Sequence, residues 1–275
     1  MANITAADVS KLRQMTGAGM MDCKKALVEA DGDFERAKEL IRERGLAIAN
    51  KRADREASEG VVLAKTIKNN TIGVIIALNC ETDFVAKNED FVSLAKSILN
   101  VAAESLPSSL DELKSCKING KPVSDLISEN SGKTGEKMEL AYFDKIESAQ
   151  VSSYIHMGNK LATVVGLNKV VDPTIGFNVA MQIAAMNPVS IDKDSVPQSV
   201  IDKELEIGRE QARLEGKAEE LLDKIAQGKL QKFFKESTLL NQEFVQEGKI
   251  TVREYLQKKD KELTVTSFKR YGLSN

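Results

Sequence analysis

The hydrophobic pattern of this chain changes its period near residue 55, and this change limits the folds that the chain can adopt. Before residue 55, apolar side chains recur at helical spacing, as Val9, Leu12 and Met15 do. After it, runs rich in β-branched residues are separated by short polar turns, which indicates β-hairpins. Helices and antiparallel strands in one chain predict the α+β fold class.

Residues 1–55 are predicted to form a small three-helix module with a linker helix. Thr5 and Asp33 are suitable N-caps for the first and third helices, because their side-chain oxygens can accept backbone N–H groups. The third helix is expected to end at Gly45. Residues 46–60 have helical propensity but little apolar face, so they are interpreted as a linker that contains the domain boundary.

The stretch 56–147 is predicted to be a first α+β lobe with an antiparallel sheet. Its expected parts are, in order, a hairpin over 61–67 and 71–80, a loop over 81–88, a helix that begins near Asp90, and a polar, mostly looped stretch over 105–137 with a short helix after Pro122. The hairpin turn is expected at Lys68-Asn69-Asn70, since these three residues separate two runs of β-branched residues.

A second, similar lobe is predicted from 148–196 together with 237–275. Its expected parts are a hairpin over 151–156 and 160–167, a helix that ends before Pro188, a short helix over 251–258 and a last strand over 263–271. The segments 74–79 and 163–168 share a hydrophobic pattern and a position within their hairpins. This loose internal repeat favours two lobes of the same architecture.

Residues 197–236 are predicted to form an antiparallel helical hairpin, or coiled coil, inserted into the second lobe. The turn between its arms is expected at Leu214-Glu215-Gly216-Lys217. The apolar side chains of the two arms include Leu205, Ala212, Leu214, Leu221, Leu222, Ile225, Phe233 and Phe234.

The charge pattern disfavours direct binding to nucleic acid, because the formal net charge is −2 and basic residues are interleaved with acidic ones. Cys23, Cys80 and Cys116 are far apart and odd in number, so we expect reduced thiols rather than disulfides or a zinc site. The N-terminus lacks the pattern of a signal peptide, and no apolar run approaches the ~18 residues of a membrane span. We therefore expect a cytoplasmic protein without a membrane segment, metal or cofactor.

The sequence offers little for enzyme chemistry. His156 is the single histidine, so a catalytic triad or dyad would have to use it, and a lone histidine at a strand end is more often structural. Gly132-Lys133-Thr134 imitates the end of a phosphate-binding loop, but Ile127 stands where that motif requires its first glycine. We therefore expect that the protein binds no nucleotide itself.

Two sets of apolar residues have both a structural and a functional interpretation. Met20 and Met21 are adjacent on one helical turn and cannot both face one core, so one of them is expected to be exposed, either incidentally or as a partner contact. Phe84 lies in the loop over 81–88. The pattern alone favours packing of Phe84 beneath this loop against the next helix, and the alternative is an aromatic side chain presented to a partner.

Two segments, TGAGMMDCKKAL over 16–27 and NCETDFVAK over 79–87, stand out as long motifs. They resemble the two signature segments of the elongation factor Ts family, in the expected order and separation, and weaker similarity extends through 154–158 to about residue 271. The resemblance implies a non-enzymatic translation factor that binds elongation factor Tu and promotes exchange of its GDP for GTP. A helical adaptor or chaperone-like binding protein and a small-molecule enzyme are the alternatives.

The resemblance also implies how the partner is held. The three-helix module would be similar to a ubiquitin-associated domain and would dock on the G domain of elongation factor Tu through Leu12, Met20 and Met21. The helical hairpin resembles a coiled-coil insertion that some members use for dimer contacts, which implies a homodimer or a 2:2 complex. Relatives often carry a further helical module after the last strand, and we expect no contribution from such a module here.

Two loops are implied by the resemblance to open the partner's nucleotide site. The loop over 82–85 would reach the magnesium side, where Asp83 and Phe84 would displace groups that support the ion. The turn that contains His156 and Gly158 would press on the phosphate side. The implied contact residues of the two loops are Thr82, Asp83, Phe84, Val85, His156 and Gly158.

Overall fold

The computed structural model describes residues 4–51 and 54–274, without the side chains of Leu46 and of residues 48–51. Within these residues there are eleven α-helices and eight strands, and every pair of neighbouring strands is antiparallel. The predicted α+β class is therefore confirmed.

The N-terminal module consists of α1 (Ala6–Thr16), α2 (Met20–Glu29) and α3 (Phe34–Lys51). Thr5 and Asp8 form a capping box at the start of α1, and Gly17 ends this helix with a φ of 69°. The expected end of the third helix at Gly45 is wrong, because α3 has 18 residues and continues through this glycine to Lys51. The buried core of the module comprises Val9, Leu12, Ala18, Cys23, Ala26, Leu27, Ala37 and Leu40.

The next part of the chain forms a three-stranded sheet with helices on one face. Its elements are β1 (Glu59–Ile67), β2 (Ile72–Cys80), α4 (Asp83–Ala86), α5 (Glu89–Ser105), α6 (Leu110–Ser115), β3 (Lys117–Ile118), β4 (Lys121–Pro122), α7 (Val123–Thr134) and β5 (Met138–Glu147). The sheet order is β1-β2-β5, and β3 and β4 form a separate two-stranded sheet. Lys68, Asn69 and Asn70 all have positive φ angles, as the predicted turn requires.

The sequence prediction for this region is partly confirmed and incomplete in three places. The helix predicted after Pro122 is present as α7, although it has 12 residues and is not short, and a further helix, α6, precedes it in the stretch over 105–137. The predicted loop over 81–88 contains the one-turn helix α4. The strand β5 was not predicted. Most positions of α7 are polar, and its buried residues Val123, Ile127 and Ser131 recur only every four residues, so the helix is stabilised mainly by its packing against the rest of the fold.

The rest of the chain forms a second three-stranded sheet, order β6-β7-β8. Its elements are β6 (Gln150–Ile155), β7 (Leu161–Leu167), α8 (Pro173–Met186), α9 (Gln198–Leu214), α10 (Glu219–Ser237), α11 (Val252–Gln257) and β8 (Val265–Gly272). The two segments of the proposed internal repeat lie on β2 and β7, each the central strand of its sheet. The division into two lobes stays a prediction.

The two sheets pack face to face and share one apolar cluster. The cluster comprises Val62, Ala64, Ile75, Ala77 and Ile146 of the first sheet and Val151, Ala162 and Val164 of the second. The outer face of the first sheet is covered by α5, α6 and α7, and that of the second by α8 and α11. A Cβ atom at Gly73 would lie 2.6 Å from Cγ1 of Val151, so a side chain there would push the sheets apart.

Helices α9 and α10 form the antiparallel hairpin, with Gly216 in the turn at a φ of 73°. The arms approach closely where Gly208 faces Ala226, since a Cβ at Gly208 would lie 3.1 Å from Cα of Ala226. Leu214 and Leu221 flank the turn, and both side chains are exposed.

We expect Leu12→Ala to destabilise the module by about 2–5 kcal/mol, because the side chain is fully buried among the three helices and its removal leaves a cavity. Thermal unfolding followed by circular dichroism measures the change. Met15→Ala on the same helix is the matched control, since Met15 is half exposed. Equal losses for the two variants would contradict the burial of Leu12.

Candidate partner interface

The carboxylate of Glu136 anchors the loop over 81–88. Thr82 is the N-cap of α4, and its hydroxyl donates a hydrogen bond of 2.7 Å to Oε1 of Glu136. The other oxygen of Glu136 accepts the backbone N–H of Thr82 at 3.1 Å. Hydrogen bonds to a charged acceptor are the stronger kind, so Glu136 fixes the start of α4.

Cys80 supports the same loop from the end of β2. Its thiol donates to the carbonyl of Thr82, with a distance of 3.2 Å from Sγ to the oxygen. Burial raises the pKa of the Cys80 thiol to about 12, and the negative charges of Glu136 and Glu59 act in the same direction. The thiol therefore keeps its proton and remains a hydrogen-bond donor at neutral pH.

Phe84 projects from this anchored loop into solvent. Its side chain is 83% exposed, while Ala86 is buried and Val85 packs against the core of the first sheet. Packing of Phe84 beneath the loop, which the pattern alone favoured, is therefore wrong. Successive residues of a helical turn point about 100° apart, so with Val85 directed inward Phe84 is left on the outer side.

Asp83 carries a charged carboxylate beside Phe84. Its Oδ2 lies 2.6 Å from Nζ of Lys87, one helical turn along the chain. The hydrogen bond from Lys87 lowers the pKa of Asp83, and the positive charges of Lys87 and Lys160 act in the same direction. The carboxylate is thus ionised at neutral pH and partly exposed.

The turn between β6 and β7 presents a second apolar side chain. The backbone N–H of His156 donates to the carbonyl of Leu161 at 2.8 Å, and Gly158 has a φ of 87°. Met157 between them is 90% exposed. The sequence analysis did not select Met157, although a large apolar residue within a glycine-containing turn was a usable signal.

His156 is exposed and does not form a catalytic pair among the described residues. Its Nδ1 lies 2.9 Å from the hydroxyl of Tyr154, and the ring of Tyr154 in turn contacts the edge of Phe177. These three rings form a small aromatic surface beside Met157. Such a surface suits contact with another protein better than proton transfer.

The structure brings the two loops to the same end of the packed sheets. Glu59, the first residue of β1, pairs in register with Cys80, directly before the Phe84 loop. Nζ of Lys160 lies 2.8 Å from Oε2 of Glu59, and the N–H of Val62 donates to the carbonyl of Asn159 at 2.6 Å. The strand β1 therefore links both loops, and we call this region the two-loop end.

The three-helix module presents a separate apolar surface. Met20 and Met21 are 45% and 64% exposed, so both face solvent where one had been expected to do so. They begin α2, whose inward residues are Cys23, Ala26 and Leu27. Leu12 is fully buried in the core of the module, so a direct partner contact through Leu12 is excluded in this conformation.

Gly132-Lys133-Thr134 does not lie in a phosphate-binding geometry. These residues form the last turn of α7, whereas phosphate is held by the free N–H groups at the start of a helix. Over residues 4–51 and 54–274, no group of three histidine, cysteine or acidic residues could hold a metal ion. Nor does any helix in that part of the chain have the length and apolarity to cross a membrane.

Comparison with known proteins identifies similar chains along the whole length. The family model described as Elongation factor TS matches residues 81–275. The elongation factor Ts of Porphyromonas gingivalis is 50% identical over 272 residues, which covers 98% of each chain. That of Christiangramia forsetii is 51% identical over 275 residues, with 99% of this chain and 100% of the relative covered. That of Amoebophilus asiaticus is 52% identical over 270 residues, with coverage of 97% and 98%.

We expect Lys87→Met to raise the pKa of Asp83 towards its ordinary value, because the hydrogen bond and the positive charge of Lys87 favour the ionised carboxylate. Carbon-detected NMR titration of the side-chain carboxyl measures this pKa. Lys96→Met on the exposed side of α5 is the control and should leave it unchanged. An unaltered Asp83 pKa in Lys87→Met would show that the pair does not form in solution.

Proposed function

Since this chain belongs to the elongation factor Ts family, we propose that its two-loop end opens the nucleotide site of elongation factor Tu. Membership of the family makes the protein a translation elongation factor that promotes the exchange of GDP for GTP on elongation factor Tu. It is an exchange factor and not a catalyst of a chemical reaction. The exposed Phe84 on a firmly anchored loop is the observation that carries the proposal about mechanism.

An exchange factor needs a surface that prefers the nucleotide-free state of its partner. No bond of GDP breaks, so the whole effect is a difference in binding free energy between two states of elongation factor Tu. A side chain that enters the partner must hold its position, because ordering a mobile loop on binding would consume part of that free energy. Glu136 and Cys80 meet this requirement by fixing Thr82 before the partner arrives.

We assign different tasks to the residues of the Phe84 loop. Phe84 enters the partner on the magnesium side of the nucleotide, and the ionised Asp83 competes for groups that support the ion. Thr82 and Val85 support the loop and do not enter the partner. Thr82 caps α4, and Val85 packs against the core of the first sheet. This assignment limits direct contact to the two side chains that project outward.

The turn at His156 and Gly158 is proposed to press on the phosphate side of the same nucleotide site. Its place beside the Phe84 loop would allow one rigid body to act on both sides of the GDP. Met157 belongs to this contact, because it is the most exposed apolar side chain of the turn.

The three-helix module is proposed to supply affinity on the G domain through Met20 and Met21. Both side chains are flexible and exposed, which suits an adaptable contact. Leu12 contributes by holding the helices together from inside. The likeness of the module to a ubiquitin-associated domain and a dimer or 2:2 contact through the helical hairpin remain part of this proposal.

Phe84→Ala is expected to slow GDP release by about tenfold or more, corresponding to about 1.4 kcal/mol or more for the loss of an anchor. Because the side chain is exposed, the unfolding temperature should not change. Release of fluorescent GDP from elongation factor Tu measures the rate, and Val170→Ala is the control, since Val170 is similarly exposed at the opposite end of β7. A rate loss that follows a loss of stability would instead make Phe84 a structural residue.

We expect the affinity of the protein for elongation factor Tu to fall when GDP is present and to fall further when magnesium is raised. Linkage requires GDP and the factor to weaken each other by the same ratio at equilibrium. Titration calorimetry with and without GDP, at low and high magnesium, gives the four affinities. Asp83→Ala with Phe84→Ala should reduce the magnesium dependence.

Met20→Ala with Met21→Ala is the comparison variant in the same titrations. This double variant should weaken binding to elongation factor Tu by more than ~1 kcal/mol in each of the four conditions, because the module is proposed to contact the partner away from the magnesium ion. Equal affinities of the unaltered protein in all four conditions would mean passive binding, as an adaptor would show, and would refute the exchange mechanism.

A further inference from the structure

Helices α3 and α7 touch through their backbones where Gly45 faces Gly132. A Cβ atom placed on Gly132 would lie 2.2 Å from Cα of Gly45 and 2.8 Å from its carbonyl carbon. A Cβ on Gly45 would lie 3.3 Å from Cα of Gly132. The first distance is impossible for any side chain, so the crossing exists only because position 132 is glycine.

Charged contacts flank this crossing between the module and the first sheet. Arg42 of α3 lies 3.2 Å from Asp125 and 3.2 Å from Glu129, both on α7. The aliphatic part of Lys133 lies beside Gly17, 3.5 Å from the position of a Cβ there. The Arg42–Asp125 pair is exposed and contributes little by itself, so the close backbone contact sets the geometry, and the largely buried Glu129 supports it.

The same end of α7 also reaches the Phe84 loop. The hydroxyl of Ser131 donates to the backbone carbonyl of Glu136, and the carboxylate of Glu136 holds Thr82. One short stretch, 131–136, therefore contacts α3 of the module on one side and the loop that carries Phe84 on the other.

We propose that Gly132 is a positioning residue that sets the place of the Met20 and Met21 surface relative to Phe84. The proposal rests on the proposed function, in which both surfaces engage one partner. Two linked surfaces bind together best when their separation matches the two sites, and a module tethered by its chain alone would spread over many positions. The helix crossing holds the module in one position relative to the sheets. The segment Gly132-Lys133-Thr134 therefore has a structural role and not a phosphate-binding one.

Three glycine variants form a graded test in the full-length chain. Gly132→Ala meets backbone at 2.2 Å, Gly45→Ala meets it at 3.3 Å, and Gly228→Ala on α10 meets nothing within 4 Å. We expect the factor concentration for half-maximal GDP release to rise about tenfold for Gly132→Ala, less for Gly45→Ala and not at all for Gly228→Ala. The maximal rate at saturating factor should be unchanged, because the Phe84 loop keeps its anchors. Small-angle X-ray scattering of the free protein should show a larger and broader particle in the same order.

Unchanged half-maximal concentration and scattering for Gly132→Ala would overturn the proposal, and so would equal effects of Gly132→Ala and Gly228→Ala. A reduced maximal rate without a change of half-maximal concentration would overturn it as well, since the crossing would then act on the Phe84 loop. If Gly132→Ala does not fold, the milder Gly45→Ala decides between the same outcomes. If the unaltered protein does not accelerate GDP release, the proposed function fails, while scattering still decides whether the crossing places the module.

Discussion

The face-to-face packing of the two sheets is the contact on which the rest of the structure depends. Gly73 permits this approach, and strand β2 is buried at all nine of its positions as a result. With the sheets held together, the loop after β2 and the turn before β7 reach solvent at one end of the molecule. The sheets fix the position of the two loops relative to each other, and in the proposed function this lets them act as one rigid body.

Local signals in the sequence predicted the elements that depend on local interactions. The cap at Thr5, the turn at Lys68-Asn69-Asn70 and the tip of the helical hairpin all rest on backbone preferences within a few residues. Helix α7 could not be predicted in full, because its few buried residues gain their stability from α3 and the first sheet. The end of α3 was misplaced for a related reason, since Gly45 serves a contact with a residue far along the chain rather than a helix end.

The candidate site shows the same division between local and distant information. The family resemblance selected the loop over 82–85, but the directions of Phe84 and Val85 depend on which side of α4 the core lies. Leu12 had the spacing of an inner helical residue, and the structure confirms that position while excluding direct contact with a partner. Met157 was missed because a pattern of residues does not show that two loops far apart in sequence lie at one end of the fold.

The complete burial of β2 has a consequence for the newly made chain. The segment Ile72–Cys80 is apolar on both faces, and one of those faces is covered by β7, which emerges from the ribosome much later. Until then it is a strand of high β-propensity without charged residues, the type of sequence that joins other chains into aggregates. Fast folding therefore also protects this protein from aggregation. We expect a substitution that delays the pairing of the second sheet to lower the yield of soluble protein, even where the final fold is unchanged.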